Sequence, residues 1–336
     1  CVTFKFKSRC LYLKNSNGKY SIYASMVTTG GRLGGISASH DNGATWTEVV
    51  PQTPNSVTDP STVLTTDPFA NGLQWQGNYN NIISVVPKNP KWFIIGGINM
   101  HLWRESSTSA PYGQMAQISS SQVAQTSSTY SHADHHEIVF DQNNERMYIG
   151  NDGGVGIAHI TANSPGTFLT AGLYPANRGY NVTQFYGIGY SAYGDLIGGA
   201  QDNGTQYKDV NNPGTSALEF KRVQGGDGFD CEISNLNANV IFTSVYTGAN
   251  YRSATKGSTG TGSFTGTDID GLSDNVKPFY NVTRLFETAN DVNSTDSVYY
   301  YATENKSAGE TIMVQSKNLD VEFPHVLTQP ITVIID

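Results

Sequence analysis

The chain has 336 residues, of which 38% are hydrophobic and only 14% charged, and it carries a net charge of −8. That acidic balance, with no Lys/Arg cluster, excludes a nucleic-acid surface, and no apolar run approaches the length of a membrane span. The 35 Gly and 19 Tyr, together with abundant Ser, Thr and Asn, describe many short strands joined by turns rather than helices.

Cys1, Cys10 and Cys231 make no disulfide framework, and a Cys1–Cys10 bridge is the pairing considered. The first residue is Cys rather than Met, so any targeting signal is expected upstream. Asn-X-Ser/Thr sequons start at Asn181, Asn203, Asn281, Asn293 and Asn305, and they matter only for a chain made in a eukaryotic secretory pathway.

Along the chain one phrase recurs, a few apolar or aromatic residues followed by small ones. It occupies 20–26, 92–98, 146–152, 195–202, 239–245 and 297–303. Most of the intervals approach the period of roughly 40–50 residues of a four-stranded propeller blade. Further strand-like runs at 82–86, 137–140 and 229–233 precede three of the phrases, each followed by an Asn- or Pro-rich turn. The small residues suit strands crowded close to an axis. The whole span 1–336 therefore reads as a single all-β domain, a β-propeller with six visible repeats and six to eight in the intact protein. The given sequence is expected to be incomplete at both ends, with 320–336 as the start of a further blade or module.

Three stretches stand apart from the repeat. Residues 39–46 read Ser-His-Asp-Asn-Gly-Ala-Thr-Trp, in which Asp41 accepts hydrogen bonds at a hairpin tip, Gly43 takes a positive φ and Trp46 packs on the side of the blade. Residues 104–131 are rich in Ser, Thr and Gln and read as a long loop or degenerate outer hairpin, while the Gly/Ser/Thr tract at 253–275 reads as an exposed, mobile hairpin.

The 39–46 stretch resembles the Asp-box of bacterial neuraminidase-type (BNR) repeats at every defined position. Further motifs follow in order: His132-Ala-Asp-His-His136, Asn151-Asp-Gly-Gly154, Gln184-Phe-Tyr186, Gly198-Gly-Ala-Gln-Asp-Asn-Gly204 and Gly225-Gly-Asp-Gly228. As a series they resemble the bacterial Asp-box, sortilin-like propeller proteins often labelled glycosyl hydrolases, over about 80–250 and, through the Asp-box, 20–50. The resemblance implies a secreted or surface-attached propeller. It also implies that Ser39, Asp41, Gly43, Thr45 and Trp46 are structural, since the family's box lies at the blade periphery.

The polar clusters at the strand ends carry the candidate chemistry. In an extended segment His132, Asp134 and His136 share one face and converge, with His135 pointing away, a set suited to Zn²⁺. Asp152 and Asp227 adjoin Gly and Asp202 lies two residues before Gly204, where backbone approaches an ion closely, and with Gln201 they suit an oxygen site for Ca²⁺. Equally, Asn-Asp-Gly-Gly and Gln-Asp-Asn-Gly are ordinary turn formers. A hydrolase would use two of Asp134, Asp152, Asp202 and Asp227 as its acids. A sialidase is disfavoured because the arginines are scattered singly. Trp75, Tyr79, Tyr174 and Tyr180 fall in or near loops and are candidate platforms for sugar rings, whereas Phe185 and Tyr186 are assigned to packing between blades.

Three functions remain open at this point. The leading one is an extracellular or cell-surface binding or structural propeller with Ca²⁺ or Zn²⁺ at its His/Asp clusters and no organic cofactor, its partner a glycan or a cell-surface protein. The alternatives are a secreted glycoside hydrolase acting on polysaccharide and a subunit of a surface assembly.

Overall fold

A computed structural model describes residues 10–14, 18–51, 67–71, 74–105, 113–141, 143, 145–161, 168–179, 182–211, 219–237, 239–247, 249–257, 264–267, 279–280, 282–287, 298–307 and 310–317. Cys1, Tyr180, the 320–336 tail and most of the Gly/Ser/Thr tract lie outside them. The chain divides into two compact units, Cys1–Asn181 and Val182–Asp336.

Among its described residues the first unit holds three four-stranded antiparallel sheets. The first comprises β1 (Cys10–Lys14), β2 (Tyr20–Val27), β3 (Leu33–Ser39) and β4 (Thr47–Val50). A two-stranded hairpin follows, β5 (Ala70–Asn71) with β6 (Gln74–Trp75). The second sheet is β7 (Ile82–Val85), β8 (Trp92–Gly96), β9 (Met100–Arg104) and β10 (Gln114–Gln117). The third is β11 (His135–Phe140), β12 (Arg146–Asn151), β13 (Gly154–Ile160) and β14 (Leu169–Pro175). In each sheet the strands pair in chain order, so every connection is a hairpin.

The second unit repeats the pattern. Its first sheet is β15 (Gly187–Tyr190), β16 (Leu196–Ala200), β17 (Gly204–Lys208) and β18 (Lys221–Gln224). Its second is β19 (Cys231–Ile233), β20 (Ile241–Ser244), β21 (Asn250–Ser253) and β22 (Thr265–Thr267). β23 (Thr283–Glu287), β24 (Val298–Ser307) and β25 (Glu310–Lys317) form a three-stranded sheet among the described residues. Consecutive four-stranded antiparallel meanders are the blades of a β-propeller, and the fold is all-β of that class. All six recurrent phrases fall on the second strand of a sheet: β2, β8, β12, β16, β20 and β24.

Packing explains why those phrases are so apolar. The middle sheet of the first unit is buried on both faces, and its side chains divide with the period of two. Phe93 and Ile95 of β8, with Ile83 and Trp103, join Tyr23, Leu33 and Ile36 of the first sheet in one core cluster. Trp92 and Ile94 point the other way and join Met147, Ile149 and Leu173 of the third sheet in another. Phe69, ahead of β5, is fully buried in the first cluster. Each such side chain contributes about 1.5–3 kcal/mol on burial. In the second unit Ile197 and Tyr207 meet Cys231, Ile233 and Ile241 in the same face-to-face manner.

The special stretches find definite places. Asp41 Oδ1 accepts hydrogen bonds from Ser39 Oγ and from the Thr45 amide, each at 2.8 Å, and Asp41 Oδ2 accepts one from Thr45 Oγ1 at 2.7 Å. These bonds, led by that of the Thr45 hydroxyl, hold the Asp41 carboxyl well below the usual carboxylate range. Gly43 has φ +88°, and Trp46 donates its indole N–H to the Gly43 carbonyl at 3.1 Å while staying 45% exposed. The ring thus closes the turn instead of being buried on the side of the sheet. Within 104–131, β10 is the outer strand of the second sheet, and the remainder of the described stretch is tied by a bridge between Ser120 and Tyr130.

Candidate functional site

In the first unit the polar clusters meet at strand ends. The 76–81 segment leads into β7, the 131–134 segment leads into β11, and residues 151–154 form the β12–β13 turn. The alternation expected for 132–136 is not the observed one, because β11 starts only at His135 and Asp134 sits in the left-handed region at φ +65°. A register shift between His135 and Glu137 breaks the period a second time. His132, Asp134 and His136 therefore do not form one strand face. The His132 ring lies against Gly153, where a Cβ would come within 2.5 Å of it, and its Nδ1 is 3.2 Å from the Ala133 carbonyl. His135 does point away as expected. It is fully buried between Ser131 Oγ and the Gly97 carbonyl, each 2.9 Å from a ring nitrogen, and burial pushes its pKa down to about 4.

Asp134 and Asp152 come together. One carboxylate oxygen of each lies within 4.8 Å of the other. Asp134 Oδ1 accepts hydrogen bonds from the side-chain amides of Gln76 and Asn80, the latter at 2.6 Å. Asp152 Oδ1 is 2.6 Å from His136 Nε2, and Asp152 Oδ2 accepts a 3.0 Å bond from the Tyr79 hydroxyl. The Tyr79 ring is half exposed and meets the His136 ring edge-on at 4.9 Å. The rest of the turn is structural. Gly153 N–H bonds Asn151 Oδ1, and Asn177 bridges the Val155 amide and the Gly153 carbonyl, both at 2.7 Å. Asn151, Gly153 and Gly154 build the turn and leave the Asp152 carboxylate to face Asp134.

Burial, followed by the neighbouring Asp152 charge, pushes the Asp134 pKa up to about 6. The native state then holds this proton more tightly than the unfolded chain, whose Asp titrates near about 4. The linked stability is greatest at low pH and falls as pH rises from about 4 to about 6. Asp134→Asn should remove that fall. Melting temperatures of wild type and variant, measured from pH 4 to 7, are expected to diverge across this window in the variant's favour. Parallel profiles would refute the assignment.

In the second unit, Gln201, Asp202 and Asn203 form the β16–β17 turn, with Asp202 at φ +63°. Asp227 Oδ1 accepts the Asp202 amide at 2.9 Å, and the Gly228 amide donates to the Ala200 carbonyl at 3.1 Å. Asp227 thus clamps the 225–230 segment to the hairpin tip. Gln201 Oε1 accepts a 2.9 Å bond from the Tyr186 hydroxyl.

The aromatic candidates separate clearly. The Trp75 ring lies under the Arg32 guanidinium at 3.8 Å, and Tyr174 stacks on His159 at 6.2 Å. Tyr79 belongs to the Asp152 cluster just described. Phe185 covers Gly198 of its own sheet and is 36% exposed rather than packed between sheets, whereas Tyr186, though 48% exposed, meets Phe229 ahead of β19 at 5.1 Å. Apart from Tyr186, sequence reasoning missed the largest aromatic group among the described residues of the second unit. Around buried Phe229 stand Tyr186 at 5.1 Å, Phe279 at 5.2 Å and Tyr280 at 5.5 Å, and Tyr246 lies parallel to Phe279 at 6.5 Å. Tyr246 and Phe279 are half exposed. Their signal was present, an aromatic pair after Pro278 and a Tyr before Thr247-Gly248, but outside any recurrent phrase.

No protein family matches the sequence, and no curated protein matches it. Among solved structures, the chain is similar to the Cps50 (Swd1) beta-propeller domain of Myceliophteria thermophila, at 6% identity and a TM-score of 0.26. The match covers 66% of this chain and 62% of that one.

Proposed function

We propose that this chain is an extracellular or cell-surface binding propeller whose ligand is a glycan. The observation that carries this reading is the ring cluster of Tyr186, Tyr246, Phe279 and Tyr280 about Phe229. Aromatic faces take up the apolar faces of sugar rings. Rings already fixed by mutual packing lose little freedom when a ligand docks on them. Gln201 stands beside this surface through its bond to Tyr186 and offers hydrogen bonds to hydroxyl groups.

The test is calorimetric titration of soluble polysaccharides into the purified chain, repeated with Tyr246→Ala/Phe279→Ala. At about 0.5–1.5 kcal/mol per aromatic contact, the double substitution should weaken binding about ten-fold or more. Equal affinity in the variant, or no binding by any glycan of a broad panel, would reject the reading.

A glycoside hydrolase is favoured by one observation, the carboxyl of Asp134 pushed up to about 6 beside the Asp152 carboxylate within 4.8 Å. That pairing approaches the separation of about 5–5.5 Å used by retaining enzymes, with Asp134 as the acid.

A further inference from the structure

We propose that the glycan taken up by the Phe229 ring cluster is cationic, built of sugars with free amino groups, and that the Asp227 carboxylate pairs with one of its ammonium groups. The inference rests on the glycan reading, names the class of sugar within it, and concerns the second unit alone.

Asp227 stands at the margin of the rings. The residue before it, Gly226, has its Cβ position 3.9 Å from Tyr246 Cε1. On the other side Asp227 Oδ1 accepts the Asp202 amide at 2.9 Å, and the adjoining Gln201 holds the Tyr186 hydroxyl at 2.9 Å. Neighbours in the chain thus tie Asp227 to Tyr246, and the hairpin tip ties it to Tyr186. The bond at Oδ1 fixes the orientation of the carboxylate. Its Oδ2 has no hydrogen-bond partner among the described residues, and the residue is only partly buried. An ionised oxygen left open in this way takes a charge-assisted hydrogen bond from an ammonium group, stronger than one between neutral groups.

The charges of the region favour a cation. Asp230 is already matched, since its Oδ2 lies 2.7 Å from Arg284 Nη1 and accepts the Thr283 amide at 2.8 Å. Glu232 lies 3.9 Å from the same guanidinium. Asp227 has no such cation among the described residues. The rings add to this preference, because an ammonium group over the face of a Tyr or Phe ring is attracted by the ring's negative face. Tyr246 and Phe279, both half exposed, offer such faces. A neutral sugar would use only their apolar character. An anionic sugar would meet the Asp227 charge, while Arg284 is held by Asp230.

The experiment compares a short glucosamine oligosaccharide with its fully N-acetylated form. Each is titrated calorimetrically into the full chain at about pH 5.5, below the usual range of amino groups. Acetylation removes the positive charge and leaves the faces of the sugar rings in place. The free-amine form is expected to bind about ten-fold tighter, with a preference that shrinks at high salt. Asp227→Asn keeps an acceptor for the Asp202 amide and should cut that preference about three-fold or more. Glu145→Gln removes an exposed carboxylate from the first unit and should leave the preference intact. Melting temperatures confirm that both variants are folded. Equal affinity for the two oligosaccharides would overturn the proposal and leave the glycan reading standing. An equal loss of preference in the two variants would also overturn it, by making the overall negative charge the cause. An unchanged preference in folded Asp227→Asn would place the ammonium group elsewhere and overturn it as well. Binding of neither form, nor of any glycan in the broader panel, would reject both readings together.

Discussion

Gly199→Ala is expected to disrupt the second unit, lowering its stability by about 3 kcal/mol or more. A Cβ at this position would lie 1.8 Å from the Phe229 carbonyl oxygen and within 2.7 Å of two further backbone atoms of the same residue. Atoms of a backbone have no rotamer with which to retreat, so the 225–230 segment must leave the end of β16. Gly228 shows the same approach from the other side, its Cβ position falling 2.4 Å from the Gly204 carbonyl oxygen. The Gly-Gly-Ala phrase and the Gly-Gly-Asp-Gly phrase are thus two halves of one contact, locked by the bonds of Asp227 and Gly228 to the hairpin tip. Gly225 is the control. Nothing lies within 4 Å of its Cβ position, and Gly225→Ala should be close to neutral. Chemical denaturation of the two variants side by side decides the matter, and similar midpoints would show that the contact yields at little cost.

The strand framework was legible because burial on two faces leaves a strong mark. β8 reads Trp-Phe-Ile-Ile-Gly, and each of its two alternating sets of side chains enters a different core cluster. A strand with one wet face would have alternated, and the repeat would have been harder to see. The Asp-box was legible for another reason: the hydrogen bonds of Asp41 lie within a few residues.

The candidate site was legible only in part. Asp134 and Asp152 stood out as acids at strand ends, but the period-two argument failed where Asp134 took a left-handed backbone conformation, which a short polar side chain tolerates. Its amide partners lie 58 and 54 residues earlier, in the segment before β7, and no local pattern links Gln76 or Asn80 to it. Similarly, Phe279 and Tyr280 come from the segment before β23, while Tyr186 precedes β15. Only pairing of the sheets brings such residues to one place.

The second large effect is expected at Asp195, which is fully buried and pairs with Lys256. Its Oδ1 accepts the Val210 amide at 3.0 Å, and its Oδ2 accepts the Tyr207 hydroxyl at 2.7 Å and the Lys256 ammonium at 3.2 Å. Lys256 also reaches Asp209 at 3.0 Å, so the group ties the β16–β17 sheet to the loop after β21. Asp195→Ala leaves the ammonium without its buried partner and strands a phenol and an amide, a loss of about 3–5 kcal/mol. Most of that loss is the exposure of unmatched groups rather than the net worth of the ion pair, and the two can be separated. Asp195→Asn combined with Lys256→Met removes both charges while keeping volume and most hydrogen bonds. If unmatched charge dominates, the double variant should be more stable than either single change predicts by addition, by about 1–3 kcal/mol in a double-mutant cycle. Strict additivity would mean that Lys256 and Asp195 act separately, leaving Asp195 as an acceptor for Tyr207 and Val210 alone.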